Sequence, residues 1–170
     1  MHSKSYRFLT PLIMVLTWAN MEAQTSHPVP RLVVNVTIDQ LRTDYMEAFS
    51  SLFGAGGFNK VMRDGRSYMD AAYPFSHIDR ASAVACIMTG TVPYDNGIVG
   101  EHWMDRKTLR PMYCVDDATC EGWLTSEKYS PVALNVSTVT DELKMATGGR
   151  ALVYSIAPDA DAAILAAGHA

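Results

Sequence analysis

The stretch Arg31-Leu-Val-Val-Asn-Val-Thr-Ile-Asp39 decides how the fold of this chain is interpreted. Its β-branched and apolar residues predict a buried strand, and that strand ends on a single carboxylate. Residues 40–49 then predict the start of a helix. Because ligands of open α/β sheets bind outside the carboxyl ends of the strands, Asp39 is predicted to lie where a metal ion or a polar substrate is held.

Helical and strand patterns alternate along the rest of the chain. Helices are predicted over 41–51, 58–63, 79–89 and 138–146, strands over 66–73 and 151–156, a loop over 91–97 and a hairpin around 105–113. Asp79 is suited to cap the third helix and Gly90 to end it, and Thr138-Val-Thr-Asp141 is a capping-box variant that opens the fourth helix. Strands that alternate with helices predict an α/β fold in which a mostly parallel sheet is flanked by helices.

The N-terminus has the charge pattern of a secretory signal peptide. Lys4 and Arg7 precede the apolar stretch 8–19, and Met21-Glu22-Ala23 follows it before Gln24, with cleavage expected after Ala23. We therefore expect a signal peptide over 1–23, a linker over 24–30 and one domain over 31–170, with the mature chain exported to the periplasm or secreted. A membrane anchor is the alternative, but spanning a bilayer takes about 20 apolar residues and this run is shorter. No membrane span is expected after cleavage.

Charge excludes one class of partner. The chain has 14 Lys and Arg against 18 Asp and Glu, for a net charge of −4, and its cations are distributed along the sequence. Nucleic-acid-binding domains are usually basic, so no nucleic acid partner is expected.

Three cysteines allow at most one internal disulfide in an oxidising compartment. Cys114 and Cys120 flank an acidic segment and are the candidate pair, with free thiols as the equal alternative. Cys86 lies in an apolar run and is predicted to be a buried thiol.

Several short motifs follow one another in an informative order. They are Asp39 at a strand end, Thr89-Gly90, Val92-Pro93, Asn96-Gly97-Ile98, Val139-Thr-Asp-Glu-Leu143 and Ala167-Gly168-His169. In this order the chain resembles the alkaline phosphatase superfamily, within it the bacterial alkaline phosphatases related to type I phosphodiesterases and nucleotide pyrophosphatases. The likeness runs from Arg31 to Ala170. It implies an alkaline-phosphatase-like fold that is incomplete in this chain, with 31–170 as the N-terminal part of a catalytic domain.

The resemblance implies a phosphate ester hydrolase, a phosphomonoesterase or phosphodiesterase, that uses two zinc ions. In such a site a metal-bound Thr or Ser attacks phosphorus and forms a covalent intermediate. Asp39 falls on the family's first metal ligand, and a solvated Asp that caps the next helix is the alternative. The nucleophile position is taken by Arg80, whose guanidinium has no lone pair with which to attack phosphorus or bind zinc. A shifted nucleophile, Ser76 or Ser82, is the other reading.

Acidic residues stand at the family's phosphate-binding positions. Glu101 replaces an Asn, and Asp159 and Asp161 replace a Lys and an Arg. At about 4 Å and an effective dielectric near 20, such a carboxylate repels a phosphate by roughly 4 kcal/mol per unit charge. These signs suggest that Arg80 pairs with Asp39 and Glu101 and fills the space of a zinc ion.

Three functions remain open. The chain is part of a metal-dependent hydrolase of small phosphate esters, a non-catalytic relative (a pseudoenzyme) that serves as an envelope binding or scaffold protein, or a truncated reading frame. His77, His102 and His169 are candidate metal ligands by residue type alone, since isolated histidines are more often structural. The sequence indicates no protein partner.

Overall fold

The computed structural model describes residues 28–170. The predicted signal peptide and most of the predicted linker lie outside the described residues. The helices are α1 (Thr43–Ala48), α2 (Gly57–Asp64), α3 (Arg80–Thr89), α4 (Pro93–Asn96), α5 (Val139–Ala146) and α6 (Ala160–Ala167), with a 3-10 turn at Ser50–Leu52. The strands are β1 (His102–Met104) and β2 (Pro111–Tyr113). The chain divides into two units between Val33 and Val34, and the elements all belong to the second.

Helix α3 is the centre of the core. Asp79 caps it by accepting the Ser82 N–H at 2.9 Å, and Ser82 returns the contact by accepting the Asp79 N–H at 3.0 Å. Gly90 ends it in the left-handed conformation (φ 70°), which glycine adopts without a Cβ penalty. This confirms the predicted helix and both of its end signals.

Apolar side chains from several elements meet around α3. The helix packs against α6, α4 and α5. The buried apolar residues are Ala81, Val84, Ala85, Met88, Ile98, Cys114, Val115, Leu134 and Leu165. This core therefore fixes the position of the first residue of α3 relative to the first turn of α6.

Helix α5 has the predicted capping box, since Thr138 caps it and Asp141 accepts the Thr138 N–H at 2.8 Å. Helix α6 corrects the sequence-based prediction, which placed no helix between residues 159 and 170. Alanine has the highest helix propensity, so the alanine-rich segment forms a helix without a strongly amphipathic pattern. Gly168 (φ 68°) ends it.

The predicted hairpin is present as the antiparallel pair β1 and β2, in which Trp103 lies opposite Met112. It is the only strand ladder within residues 28–170. The stretches 34–39, 66–73 and 151–156 have no strand partner there, and Ile156 is 97% exposed. A strand requires a neighbouring strand for its backbone hydrogen bonds, and the described residues offer these stretches none.

The loop expected over 91–97 contains the short helix α4. All three cysteines are free, so the candidate Cys114–Cys120 disulfide is not formed. The Cys114 side chain lies in the core, where burial raises its pKa to about 12, whereas Cys120 contacts the backbone oxygens of Asp117 and Tyr129. Cys86 is partly exposed rather than buried. No helix of the described chain has the length and apolarity that a membrane span requires.

Candidate functional site

Arg80, the first residue of α3, lies among three carboxylates. Its Nε and Nη2 donate to the two oxygens of Asp161 at 3.1 and 3.0 Å. Its Nη1 lies 3.1 Å from Asp159 Oδ2, and its Nη2 lies 3.4 Å from Glu101 Oε2. We call these four residues the Arg80 cluster. The paired, planar contact with Asp161 is the geometry in which a guanidinium binds a carboxylate most strongly.

Burial makes the contact with Asp161 the dominant one. The Asp161 side chain is fully buried, while those of Arg80, Glu101 and Asp159 are 27%, 38% and 49% exposed. A buried carboxylate needs a counter-charge and hydrogen bonds to offset its desolvation, and Arg80 supplies both. The hydrogen bond that Arg80 donates to Asp161 raises the pKa of Arg80, and the charges of all three carboxylates raise it further. Arg80 is therefore a permanent cation.

Asp79 holds two parts of the Arg80 cluster in position through backbone hydrogen bonds. Its Oδ1 caps α3 through Ser82, and its Oδ2 accepts the Glu101 N–H at 2.6 Å. Burial opposes ionisation of this carboxyl, yet the backbone hydrogen bonds from Ser82 and Glu101 lower the pKa of Asp79. One side chain thus fixes both the start of α3 and the backbone of Glu101.

Tyr113 on β2 completes the surroundings of Asp161. Its hydroxyl donates to Asp161 Oδ1 at 3.3 Å and accepts the Asp161 N–H at 3.2 Å. Its ring stacks on His102 with the centroids 4.8 Å apart. Burial, with the charge of Asp161, raises the pKa of Tyr113 to about 12, so the hydroxyl keeps its proton. No sequence signal indicated this role, because Tyr113 lies in an ordinary hairpin pattern.

The two serines considered as shifted nucleophiles are placed differently. Ser82 is fully buried, and its hydroxyl donates to Asp79 Oδ1 at 2.8 Å while closing the capping box. Ser76 is exposed on the loop that precedes α3. Ser82 has no access to a substrate, and it is Arg80 that faces the carboxylates.

Asp39 does not join the Arg80 cluster. The pairing of Arg80 with Glu101 that the charge signs suggested is present, but none of the ion pairs in residues 28–170 links Arg80 to Asp39. Asp39 is exposed at the end of its extended stretch. The hypothesis paired them through sequence charge alone, whereas the fold brings α6 to Arg80.

The described residues do not by themselves make up the two-zinc site that the resemblance implies. Over residues 28–170 no group of three or more His, Cys, Asp or Glu side chains is arranged to hold a metal ion. The three carboxylates of the Arg80 cluster converge on a guanidinium, which occupies their shared space. Zinc sites usually take four ligands, and Asp39 supplies only one.

The three candidate histidines differ in their surroundings. His169 lies with Nδ1 3.1 Å from Asp141 Oδ2 and Nε2 3.1 Å from the Leu134 carbonyl oxygen, which ties the end of α6 to the start of α5. His102 stacks on Tyr113, and His77 is exposed with a left-handed backbone (φ 59°). These contacts assign the ring nitrogens of His169 to hydrogen bonds within the fold.

Comparison with known proteins gives a consistent answer. Residues 33–164 match the sequence model of the family described as type I phosphodiesterase / nucleotide pyrophosphatase. Alkaline phosphatase PhoV of Synechococcus elongatus is 40% identical over 143 residues, which are 82% of this chain and 26% of PhoV. Alkaline phosphatase PafA of Elizabethkingia meningoseptica is 31% identical over 167 residues, which are 96% of this chain and 31% of PafA.

Solved structures agree. Wild-type alkaline phosphatase PafA aligns with a TM-score of 0.77 and 33% identity over 85% of this chain and 28% of its own. A PafA variant in which a threonine becomes serine, and an asparagine, a lysine and an arginine become alanine, aligns with a TM-score of 0.72 and 32% identity over 85% and 29%. The predicted alkaline-phosphatase-like α/β fold is confirmed. The chain spans about a quarter to a third of the length of these relatives.

Proposed function

Because the chain belongs to the type I phosphodiesterase / nucleotide pyrophosphatase family, as the N-terminal portion of an alkaline phosphatase fold, we propose that it is a non-hydrolytic member of that family. In this proposal the Arg80 cluster has replaced the groups that bind and attack a phosphate ester. The protein keeps the fold and acts as a binding or scaffold protein of the cell envelope.

One observation carries the proposal, namely the paired contact between Arg80 and the buried Asp161. A guanidinium at the nucleophile position cannot donate electrons to phosphorus. Its positive charge is also already neutralised, since one cation faces three carboxylates. A phosphate dianion would meet a surplus of negative charge and would have to displace Asp161 from its only cationic partner in the cluster.

The spacing of the four residues supports this placement. In the solved PafA variant the substituted threonine and asparagine are as far apart along the chain as Arg80 and Glu101 are here. The substituted lysine and arginine are separated as Asp159 and Asp161 are. We infer that the cluster corresponds to these four positions of PafA.

Export and cofactors belong to the same proposal. The sequence of residues 1–23 supports export to the periplasm or the medium, without nucleic acid as a partner. Two zinc ions are expected in hydrolytic members by resemblance, with Asp39 as a ligand. For this chain we expect zinc to be absent from the Arg80 cluster, since the guanidinium fills that space.

A hydrolase is the second candidate function, with small phosphate esters as substrates. It is favoured by the 40% identity to PhoV, which is named an alkaline phosphatase. The two candidates agree on fold and differ in turnover.

A chimera separates them. Residues 31–170 of this chain replace the matched segment of PhoV, and release of nitrophenol from nitrophenyl phosphate and bis-nitrophenyl phosphate is measured with added zinc. We expect no turnover by the chimera with the unaltered Arg80 cluster. Turnover should be recovered in the chimera with the substitutions Arg80→Thr/Glu101→Asn/Asp159→Lys/Asp161→Arg. An Arg63→Thr chimera is the matched control, because Arg63 is an exposed cation on α2.

Turnover by the unmodified chimera at the rate of PhoV would overturn the proposal. A second measurement, on the chain itself, can contradict the proposal where the chimera does not fold. Calorimetric titration with inorganic phosphate and with zinc should show neither binding, and Asp39→Ala should leave the zinc titration unchanged. Stoichiometric zinc binding that weakens in the Asp39→Ala variant would contradict the proposal that the Arg80 guanidinium fills the space of a zinc ion.

A further inference from the structure

The turn of the β1–β2 hairpin carries three cations within five residues. Arg106, Lys107 and Arg110 are all exposed, and no ion pair of the described chain includes them. Four other cations of residues 28–170 pair with carboxylates, namely Arg42, Lys60, Arg63 and Arg80, and the remaining unpaired cations are spread along the sequence. The hairpin turn is therefore a local concentration of unneutralised positive charge in a chain whose net charge is −4.

The carboxylate inside the turn is engaged with the backbone. Asp105 Oδ2 accepts the Thr108 hydroxyl at 2.6 Å and its N–H at 3.2 Å, and Oδ1 accepts the Lys107 N–H at 3.1 Å. The Thr108 hydroxyl is the main reason that the pKa of Asp105 is lowered. Backbone bonds from Leu109 N–H to Asp105 O and from Asp105 N–H to Arg110 O close the turn. Asp105 thus braces the turn and leaves a surplus of two positive charges.

Apolar side chains stand among these cations. Leu109 is 75% exposed and has a left-handed backbone (φ 54°), a conformation that costs free energy for a non-glycine residue. Met104, beside the turn on β1, is 56% exposed. The turn therefore holds an apolar side chain outward at a cost in backbone strain, beside three cations.

We infer that the segment 105–110, here named the cationic turn, docks on a bilayer surface that contains anionic phospholipids. Its cations complement the negative headgroups, and Leu109 and Met104 enter the boundary between headgroups and acyl chains. A polyanion in water, such as nucleic acid, offers no comparable place for these two apolar side chains. Charges farther than about 8 Å are screened at physiological salt, so the acidic remainder of the chain does not prevent an approach through the turn. No residue of the Arg80 cluster takes part, so the inference is independent of the proposed function.

Vesicle sedimentation tests this inference on the full chain. Vesicles of phosphatidylglycerol and phosphatidylcholine are compared with vesicles of phosphatidylcholine alone at low and high salt. We expect tighter binding to the mixed vesicles and a loss of that difference at high salt. The apolar residues 8–19 would contact both vesicle types, so the difference between the two types reports on charge.

Variants assign the charge to the turn. Arg106→Gln/Lys107→Gln/Arg110→Gln should weaken binding to mixed vesicles by about a hundredfold, since each cation near an anionic surface contributes about fivefold. Leu109→Asn should weaken binding at every salt concentration, and asparagine tolerates the left-handed backbone.

The matched control removes the same charge elsewhere, in Arg31→Gln/Arg66→Gln/Lys128→Gln, and should leave vesicle binding nearly unchanged. Equal binding to both vesicle types, or equal losses in the two triple variants, would overturn the inference. Stronger salt-dependent binding to duplex DNA than to mixed vesicles would contradict the choice of a lipid surface. If the first triple variant does not fold, the lipid comparison with the native chain and Leu109→Asn still decides the outcome.

Discussion

Two regions of this protein, residues 34–78 and residues 79–170, contain helices of similar length that differ in what they bury. Helices α1 and α2 in the first region bury no residue, although α2 has a strongly amphipathic sequence. Helix α3 in the second region buries five residues. The difference shows that an amphipathic sequence does not ensure burial, which depends on whether another apolar surface lies opposite.

Ion pairs repeat the contrast. Arg63 and Asp64 on α2 form an ion pair with each other. Their side chains are 62% and 47% exposed, so water competes for both partners. Arg80 and Asp161 make the same chemical pair with Asp161 fully buried. Exposed pairs contribute little to stability, whereas removing one partner of a buried pair leaves an uncompensated charge. The two regions should therefore respond very differently to equivalent substitutions.

Hydrogen exchange should show the largest difference. The amides of residues 82–88 in α3 should exchange at least about a thousandfold more slowly than those of residues 34–38, since core amides open only with global unfolding. Residues 34–38 have no backbone hydrogen bond to another strand of the described chain. Mass-spectrometric exchange on the full chain measures both segments together. Equal protection would show that the extended stretch is paired in solution, for example with a second copy.

Arg80→Ala should destabilise the fold by about 3–5 kcal/mol, because Asp161 would remain buried without a cation. Arg63→Ala, the equivalent substitution in the first region, should cost less than about 1 kcal/mol. Urea unfolding followed by tryptophan fluorescence compares the two variants. Similar losses in both variants would show that water reaches Asp161 in solution.

A double variant separates two free energies, the cost of leaving Asp161 buried without a cation and the contribution of the Arg80–Asp161 pair itself. Arg80→Ala/Asp161→Ala should recover part of the loss seen in Arg80→Ala, because no buried carboxylate remains. If the stability that the double variant loses relative to the native chain equals the sum of the two single losses, the two side chains act independently.

In both regions the elements with local sequence signals were predictable and those that depend on a partner were not, for a physical reason. The caps at Asp79 and Thr138 and the end signal at Gly90 are local, so the sequence predicted α3 and α5. The stretches 66–73 and 151–156 have strand patterns, but a strand is defined by its partner, which local sequence does not contain. Helix α6 was missed because its alanine-rich pattern is not amphipathic enough to stand out.

The site followed the same rule. Charge signs alone predicted that Arg80 meets Glu101, and the structure places these two side chains together. The pairing of Arg80 with Asp39 was wrong, and its bond to Asp161 was not predicted, because both depend on which elements pack against α3. Tyr113 and Asp79 support the cluster through contacts with residues distant in sequence or through the backbone, for which sequence offers no signal.

Core truncation should give the next largest effect. Leu165→Ala on α6 should cost about 2–5 kcal/mol, because the side chain is fully buried and leaves a cavity. Val61→Ala on α2 should cost less than about 0.5 kcal/mol, since Val61 is exposed. Thermal unfolding of both variants measures the two losses of stability and so compares them. A large loss in Val61→Ala would indicate that the apolar face of α2 is covered in solution.

Helix capping should give the smallest effect and adds a dependence on pH. Asp79→Ala removes the cap of α3 and should cost about 0.5–2 kcal/mol at neutral pH, whereas Asp44→Ala on α1, which has no side-chain cap, should cost less. The pKa of Asp79 is lower in the folded chain than its ordinary value, so its contribution is present above about pH 4 and is lost as the pH falls through the folded-state pKa. The native chain and Asp79→Ala should therefore converge in stability in acid, as urea titrations across this range would show. A constant difference in stability between the two proteins down to low pH would mean that the cap does not depend on the charge of Asp79. Capping would then not be an electrostatic difference between the two regions.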